Sequence, residues 1–419
     1  MRVLHVECTL ESNVCGTAEA SAICSTATCF ALGRRFPRVN EALGTQGDLG
    51  EPLPQRPRGR LRLALHRAGQ VALQPGGPAI SEIPLTGRVV ATPFRDRLPV
   101  ADRIWNGSDL FGAARAQFDA LGRILPVHLP ERPDIAHWTF PFPVRIPGAK
   151  NIYTLHDLVP LKLPHTTLTR TANYRKMIRA LLDTADHIVT VSEQSKRDIC
   201  ELFAYPEDKV TNTYQAVRIP QDQAAKPLDV VKQELRGLFN LDHRGYFLYF
   251  GAIEPKKNVG RLIEAYLATN VQAPLLIVGQ EAWKWEQELR LLTSLDSGTL
   301  RGRIRRFDHL PSNILITLIR GAKAVLFPSL YEGFGLPVLE AMTLGTPVLT
   351  SKEGSTPEIA GEAGLLVDPY DTAAIAEGIR TLDADPELCA SLSARGLKQA
   401  ELFSPERFRQ KLQDLYARL

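Results

Sequence analysis

The residues with the clearest chemistry are two glutamates on either side of a glycine-rich turn. Glu332 precedes the turn and Glu340 follows it, in the segment Tyr-Glu-Gly-Phe-Gly-Leu-Pro-Val-Leu-Glu. Gly333 and Gly335 allow a tight turn and a close approach to a ligand. A carboxylate beside an anion site would repel a bare phosphate, but carboxylates accept hydrogen bonds from sugar hydroxyls. The pair therefore suggests a ligand in which sugars are attached to phosphate, as in a nucleotide sugar.

A strand before the turn and a helix after it would supply the anion site. The apolar run Ala322-Lys-Ala-Val-Leu-Phe327 predicts a short buried strand. Pro337 suits the first turn of a helix, which we expect Gly345 to end. A helix N-terminus has unpaired amides and a partial positive charge that attract anions.

Composition limits the class of protein. The 419 residues are 44% hydrophobic, which is enough for two or three globular domains. The net charge of +4 argues against a dedicated nucleic-acid binder. Six cysteines without a Cys-x-x-Cys spacing predict neither a disulfide framework nor a common zinc site. The early charges and the lack of a long apolar run predict a soluble, cytoplasmic protein without a signal peptide.

Strands alternate with helices along the chain, which predicts an α/β fold. Strand-like runs at 2–6, 134–138, 151–155 and 187–191 form one series, and a second series begins with 246–250 and 275–278. We therefore expect two Rossmann-like, doubly wound parallel-sheet domains that face a cleft. The predicted boundaries are 1–217 for the acceptor-side domain, 218–245 for a linker, 246–404 for the nucleotide-sugar domain and 405–419 for a terminal helix. That helix is expected either to pack on the second domain or to cross back to the first.

Further candidates stand at the ends of predicted strands. Lys256 and Lys257 follow the strand at 246–250, and His156 follows the strand at 151–155. A solvated turn would explain the lysines alone and an ordinary histidine would explain His156, but their place before a strand-loop-helix series favours function. Asp383-Ala-Asp385 has the D-x-D spacing of metal-dependent sugar transferases, yet it precedes Pro386 and is better interpreted as a helix N-cap.

With these motifs in order, the chain resembles glycosyltransferase family 4, whose members are retaining, nucleotide-sugar-dependent enzymes of the two-Rossmann GT-B fold. Glu332 and Glu340 match its E-x7-E signature. The other stretches that carry the resemblance are Thr154-Leu-His-Asp157, Val189-Thr-Val-Ser-Glu-Gln-Ser195, Gly251-Ala-Ile-Glu-Pro-Lys-Lys-Asn258, Phe327-Pro-Ser329 and Gly354-Ser-Thr-Pro-Glu358. The chain looks most like hexosyltransferases of bacterial surface-polysaccharide pathways, several of which use GDP-mannose.

The resemblance implies a role for each candidate. Lys257, with Lys256, would neutralise the donor diphosphate, beside the helix N-terminus and the backbone amides of Gly333, Phe334, Gly335 and Leu336. Glu340 would accept hydrogen bonds from the nucleotide ribose. Glu332 would contact the donor sugar near its anomeric centre, and His156 would approach from the first domain. No metal and no cofactor are implied, and the expected partners are a nucleotide-sugar donor and a lipid-linked or glycan acceptor.

Two positions depart from the family pattern. The family often has paired glycines in the first loop, where this chain has Gly16 alone, and many members carry a basic residue where Ala252 stands. Gly16 remains the candidate on the acceptor side. The basic stretch Arg56 to Arg62 predicts a solvated loop or, less simply, contact between the N-terminal domain and an anionic membrane face.

Several functions stay open at this level. Glycosyl transfer would build charge on the leaving diphosphate, which the lysines and the helix N-terminus would stabilise. The motifs do not separate a same-face mechanism from a double displacement through Glu332. A GT-B epimerase, hydrolase or phosphorylase, or a non-catalytic nucleotide-sugar-binding relative, would carry the same motifs.

Overall fold

The structure of the chain is a computed structural model. It describes residues 3–6, 27–30, 80–83, 103–107, 110–294 and 302–419. Gly16, the basic stretch 56–62 and most of the segment 34–100 lie outside the described residues. Their predicted roles stay predictions.

The first sheet has eight described strands and is mostly parallel. Its strands are β1 (Val3–Val6), β2 (Ala27–Phe30), β3 (Ile80–Ile83), β4 (Arg103–Gly107), β6 (Ile135–Trp138), β8 (Lys150–Leu155), β9 (His187–Thr190) and β10 (Val210–Asn212), while β5 (Leu125–Pro126) and β7 (Val144–Arg145) pair separately. Among these described strands the order is β10-β9-β8-β6-β1-β2-β4-β3. Only the β3–β4 pairing is antiparallel among the strand pairs described for this sheet. We call the unit built on this sheet the N-terminal half.

The second sheet is parallel throughout the part of the chain that the structure describes. Its strands are β11 (Phe247–Phe250), β12 (Leu275–Val278), β13 (Ile304–Phe307), β14 (Ala324–Phe327), β15 (Val348–Ser351) and β16 (Gly364–Val367). Their order is β13-β12-β11-β14-β15-β16, which is the 3-2-1-4-5-6 order of doubly wound nucleotide-binding folds. Successive strands are added on one side of β11 up to β13 and on the other side from β14 onward, so the loops after β11 and β14 border the crevice where such sheets bind ligands. We call this unit the C-terminal half.

Helices cover both sheets. They are α1 (Leu110–Leu121), α2 (Val159–Lys162), α3 (Thr171–Thr184), α4 (Glu193–Phe203), α5 (Gln221–Ala224), α6 (Leu228–Glu234), α7 (Val259–Leu267), α8 (Trp285–Glu288), α9 (Arg290–Ser294), α10 (Ser312–Gly321), α11 (Leu336–Thr343), α12 (Thr356–Ala360), α13 (Thr372–Ala384), α14 (Pro386–Ala400) and α15 (Pro405–Arg418). Within the described ranges, no helix is long and apolar enough to cross a membrane. The predicted α/β architecture of two doubly wound parallel sheets is confirmed.

The central strands are apolar because both of their faces are covered. β11, β12 and β14 are buried along their full length, as expected for parallel strands between two helical layers. The stretch 218–245 carries α5, α6 and a π-helical turn at Leu235–Phe239. Val231 and Leu235 of this stretch are fully buried in the core of the C-terminal half.

The final helix α15 packs on the first sheet. Leu412, Leu415 and Tyr416 are at most 2% exposed and join a cluster with Val3, Ile135, Ile152 and Val189. The Tyr416 hydroxyl lies 2.6 Å from Nδ1 of His137 on β6, whose Nε2 lies 2.8 Å from the Thr154 hydroxyl on β8. The helix therefore crosses from the C-terminal half back to the N-terminal half and completes its core.

Truncating the apolar face of α15 should destabilise the N-terminal half. Leu415→Ala removes a side chain that is 1% exposed, so we expect a loss of about 2–5 kcal/mol in the free energy of unfolding, measured by urea denaturation. Gln413→Ala is the matched control, because Gln413 is exposed on the same helix. Equal stability of the two variants would contradict the packing described here.

Candidate active site

The loops after β11 and β14 are fastened together at the switch point of the second sheet. The Leu330 amide donates to the Lys256 carbonyl oxygen at 2.8 Å. The buried Asn258 side chain donates to the Pro328 carbonyl at 2.9 Å and to the Pro369 carbonyl at 2.7 Å. These contacts fix Lys256 and Lys257 relative to Glu332.

The half-buried Lys257 and the buried Glu332 form an ion pair at this point. Lys257 Nζ donates to Glu332 Oε1 at 2.7 Å and lies 5.0 Å from the centre of the Phe327 ring. Glu332 is 6% exposed. Burial alone would raise the pKa of Glu332, but the charges of Lys257 and Lys256 outweigh it and hold that pKa below its ordinary value. Glu332 is therefore ionised at neutral pH.

Lys256 lies among three carboxylates. Its Nζ is 3.8 Å from Glu332 Oε2 and 3.7 Å from Glu254 Oε1. Burial opposes its charge, but Glu332, Asp157 and Glu254 together raise the pKa of Lys256. Asp157 belongs to the N-terminal half, so the charges of both halves meet here.

Glu254 and Asp157 were not singled out from the sequence. Glu254 is 3% exposed, and burial raises its pKa despite the two neighbouring lysines. Both stand inside motifs that resemble the family, two residues before Lys256 and directly after His156. A search for acidic residues at the same strand ends as the candidate cations would have found them.

The lysine charges are thus balanced within the protein. A diphosphate that binds Lys257 must compete with Glu332 for the ammonium group. Once that exchange occurs, the Glu332 carboxylate is free to accept hydrogen bonds from other ligand groups. The geometry suits a ligand that carries an anion and hydroxyl groups side by side.

Glu340 has the opposite electrostatic environment. It lies on α11, is 4% exposed, and burial raises its pKa to about 8. No ion-pair partner of Glu340 is found among the described residues. Glu340 is therefore largely protonated at neutral pH while Glu332 is ionised, and such a separation of two carboxyl groups is typical of functional sites.

The glycine turn brings the two halves into contact. A Cβ atom on Gly333 would lie 2.4 Å from the His156 carbonyl oxygen and 2.7 Å from Asp157 Cβ, so a larger residue does not fit. Gly335 has φ 107° and directly precedes Leu336, the first residue of α11. Phe334 packs with its ring centre 5.8 Å from that of Phe403.

His156 is half-buried, and both of its ring nitrogens have partners. Nε2 lies 2.8 Å from the Thr139 carbonyl oxygen and Nδ1 lies 3.3 Å from the Gln215 amide nitrogen. Burial lowers the pKa of His156, so the ring is neutral, donates from Nε2 and accepts at Nδ1. A ligand that binds Nδ1 must displace Gln215.

The aspartates with D-x-D spacing lie elsewhere. Asp385 is the N-cap of α14 and accepts from the Leu388 amide at 2.8 Å, while Asp383 pairs with Lys323. The predicted helix N-cap is confirmed. Across the described ranges, no group of three or more His, Cys, Asp or Glu side chains is arranged to hold a metal ion.

Replacing Glu340 with Gln should stabilise the protein at alkaline pH. Between about pH 4.5 and pH 8 the folded carboxyl keeps a proton that the unfolded chain releases, so the free energy of unfolding falls as pH rises through this window. Gln does not ionise and removes that loss. We expect the free energy of unfolding of Glu340→Gln, measured by urea denaturation, to exceed that of the parent chain by about 2–4 kcal/mol near pH 8.5. Near pH 5 the difference should be small.

Glu387→Gln provides the control, because Glu387 is exposed on α14. Its stability should follow that of the parent chain at every pH. An unchanged pH dependence in Glu340→Gln would contradict the buried, protonated state of Glu340.

Comparison with known proteins identifies the family to which the chain belongs. A sequence model described as Glycosyltransferase Family 4 matches residues 71–218, and one described as Glycosyl transferases group 1 matches residues 232–399. The chain is 36% identical over 263 residues to the Escherichia coli O-antigen chain mannosyltransferase B, covering 61% of this chain and 67% of that protein. It is 31% identical over 264 residues to the Escherichia coli serotype-specific mannosyltransferase WbdA, covering 61% of this chain but only 32% of that protein.

Solved structures share the fold across the whole chain. Anabaena Alr3699/HepE in complex with UDP-glucose has a TM-score of 0.66 at 17% identity and covers 100% of both chains. Sucrose-phosphate synthase from Thermosynechococcus elongatus has a TM-score of 0.65 at 18% identity and covers 100% of this chain and 98% of its own. The predicted GT-B fold and glycosyltransferase class are confirmed, and the chain belongs to glycosyltransferase family 4.

Proposed function

We propose that the chain transfers a hexose, with mannose favoured, from a nucleoside diphosphate sugar to a lipid-linked or oligosaccharide acceptor, with retention at the anomeric carbon. The observation that carries the proposal is the convergence of Lys256, Lys257 and Glu332 at the switch point of the second sheet. The relatives named O-antigen chain mannosyltransferase B and WbdA support mannose and surface polysaccharide.

Each residue would act on a different part of the donor. Lys257 and Lys256 would bind the diphosphate, together with the amides of Gly333 to Leu336 at the start of α11. Glu340, buried one turn into α11, would hydrogen-bond the ribose hydroxyls. Glu332 would then contact the sugar. His156 would approach the donor from the N-terminal half, through its Nδ1 atom.

The chemistry would break the bond between the anomeric carbon and the diphosphate oxygen. Negative charge develops on the departing phosphate, and lysines fixed before the reaction stabilise it without a metal ion. The acceptor oxygen attacks the oxocarbenium-like carbon and transfers its proton to the leaving phosphate. This same-face route needs no covalent intermediate, so it requires of Glu332 only a contact with the sugar.

Removing either partner of the ion pair should reduce transfer. We expect Glu332→Gln and Lys257→Ala each to lower kcat by about 10²–10³, because both act where charge develops. The measurement is nucleotide release from GDP-, UDP- and ADP-sugars with an acceptor, in the presence of EDTA. Lys257→Ala should also raise the KM for the donor.

Lys352→Ala serves as a matched control, because Lys352 forms an exposed ion pair with Asp368 at 2.9 Å. It should retain parental kinetics. Full activity of Glu332→Gln or Lys257→Ala would contradict the site. Donor consumption that needs no acceptor would instead favour a hydrolase or epimerase.

A lipid-linked acceptor would require the enzyme to work near a membrane surface. We propose that the exposed face of α3 makes this contact, through Arg175, Lys176 and Arg179 and the adjacent Leu168, which is 72% exposed. Arg175 and Arg179 lie 5.8 Å and 5.1 Å from the centre of the Phe203 ring. Both guanidinium groups therefore lie over one ring at the surface of α3, which holds two positive charges side by side on exposed residues.

Reversing charge on this face should weaken membrane contact. Each basic residue near an anionic surface contributes about 1 kcal/mol, so Arg175→Glu with Arg179→Glu should lower binding to phosphatidylserine vesicles by more than tenfold in a flotation assay. Arg236→Glu with Arg380→Glu is the control on exposed positions of the C-terminal half. Equal binding of both double variants would contradict the proposed face.

A further inference from the structure

The segment that carries Glu332 is held by side chains of the opposite half. The hydroxyl of Tyr331 donates to the Asp198 carboxylate on α4. The carbonyl oxygen of Gly333 accepts from the Ser192 hydroxyl at 2.7 Å. Glu332 therefore lies between two residues that are each tied to α4 or its N-cap, although α4 belongs to the N-terminal half.

Asp198 is built into a cross-half network. It is 1% exposed and accepts from Lys162 Nζ at 2.8 Å and from the Gln194 amide nitrogen at 3.0 Å, in addition to Tyr331. Burial and the Asp198 charge raise the pKa of Tyr331, which keeps its hydroxyl protonated as a donor. Lys162 also lies 5.7 Å from the centre of the Tyr331 ring. A buried carboxylate with these donors loses much of its stabilisation when one of them leaves.

The first turn of α4 is completed from both halves. Ser192 is its N-cap and accepts from the Ser195 amide at 3.0 Å while donating to Gly333. Ser195 donates from its hydroxyl to the His156 carbonyl at 2.9 Å and lies 3.3 Å from the Gly333 carbonyl. Glu358 of the C-terminal half accepts from the amides of Glu193 and Gln194 at 2.9 Å and 3.2 Å.

The bonds from Tyr331 to Asp198 and from Ser192 to Gly333 form only when α4 lies against the loop after β14. Ser355 of the C-terminal half donates to the Glu332 carbonyl oxygen at 3.0 Å, whereas the neighbours Tyr331 and Gly333 are held by the opposite half. We propose that Ser192, Ser195 and Asp198 are positioning residues that place Glu332 against Lys257, so that the donor site assembles when the two halves dock. The catalytic part of this inference rests on the proposed function of Glu332, whereas the docking part does not.

The direct test removes the Tyr331 hydroxyl in two backgrounds. Tyr331→Phe should lower kcat about tenfold, which corresponds to one charge-assisted hydrogen bond, while the KM for the donor changes less than about threefold. In the Glu332→Gln background the same change should lower kcat no further, because the bond acts through Glu332. Additive losses of kcat in the double variant would overturn the positioning role.

Tyr246→Phe is the matched control for loss of a buried hydroxyl. The Tyr246 hydroxyl donates to the Leu318 carbonyl at 2.6 Å, entirely within the C-terminal half. Tyr246→Phe should lower the free energy of unfolding. The effect of Glu332→Gln on kcat should be the same with and without Tyr246→Phe. An equal fall in kcat for both tyrosine variants would show a general stability effect and overturn the inference.

A second measurement separates this inference from the proposed function. Small-angle scattering of the parent chain and of Tyr331→Phe combined with Asp198→Asn reports how compactly the halves dock, whatever the reaction. We expect the double variant to have a larger radius of gyration, and no increase would overturn the docking role. If the parent chain transfers no hexose but the variant expands, the proposed function fails and the docking role stands.

Discussion

The ion pair between the half-buried Lys257 and the buried Glu332 is the interaction on which the site depends. Taking two charges out of water is costly, and a pair of this kind persists only when its geometry is fixed and its charges are balanced. The backbone bond between Leu330 and Lys256 and the side-chain bonds of Asn258 supply the fixed geometry. The fold thus holds the pair in place at the crevice. A phosphate that replaces the Glu332 carboxylate finds the Lys257 ammonium group already in position.

The two glutamates of one short segment show how environment separates identical groups. Glu332 faces two lysines and remains charged, whereas Glu340 is buried with no compensating charge among the residues that the structure describes, and it retains its proton. A protonated carboxyl both donates and accepts a hydrogen bond, while an ionised one only accepts. The site therefore offers different hydrogen-bonding properties at its two ends, which suits a ligand whose hydroxyl groups differ in position.

Much of the fold and part of the site could be predicted from the sequence. Buried parallel strands such as β11 and β14 are continuous apolar runs, and glycine and proline mark the turn before α11, so local chemistry determined these elements. The cluster of Lys256, Lys257 and Glu332 could be predicted because the three residues follow the ends of parallel strands, and such ends share one edge of a sheet. Asp198 could not be paired with Tyr331 in advance, since 133 residues separate them and their contact exists only after both halves fold. The protonation of Glu340 depends on burial from several elements, which its spacing from Glu332 does not reveal.

The return of α15 to the first sheet has a consequence for how the chain matures. The face formed by Val3, Ile135, Ile152 and Val189 is covered by Leu412, Leu415 and Tyr416. During vectorial synthesis the N-terminal half emerges long before residues 405–418, so this apolar face stays open while the entire C-terminal half is translated. Domains that wait with exposed apolar surface are prone to aggregation and are typical clients of chaperones. Separate expression of residues 1–217 would leave the same face uncovered, so the two halves are expected to mature as one cooperative product.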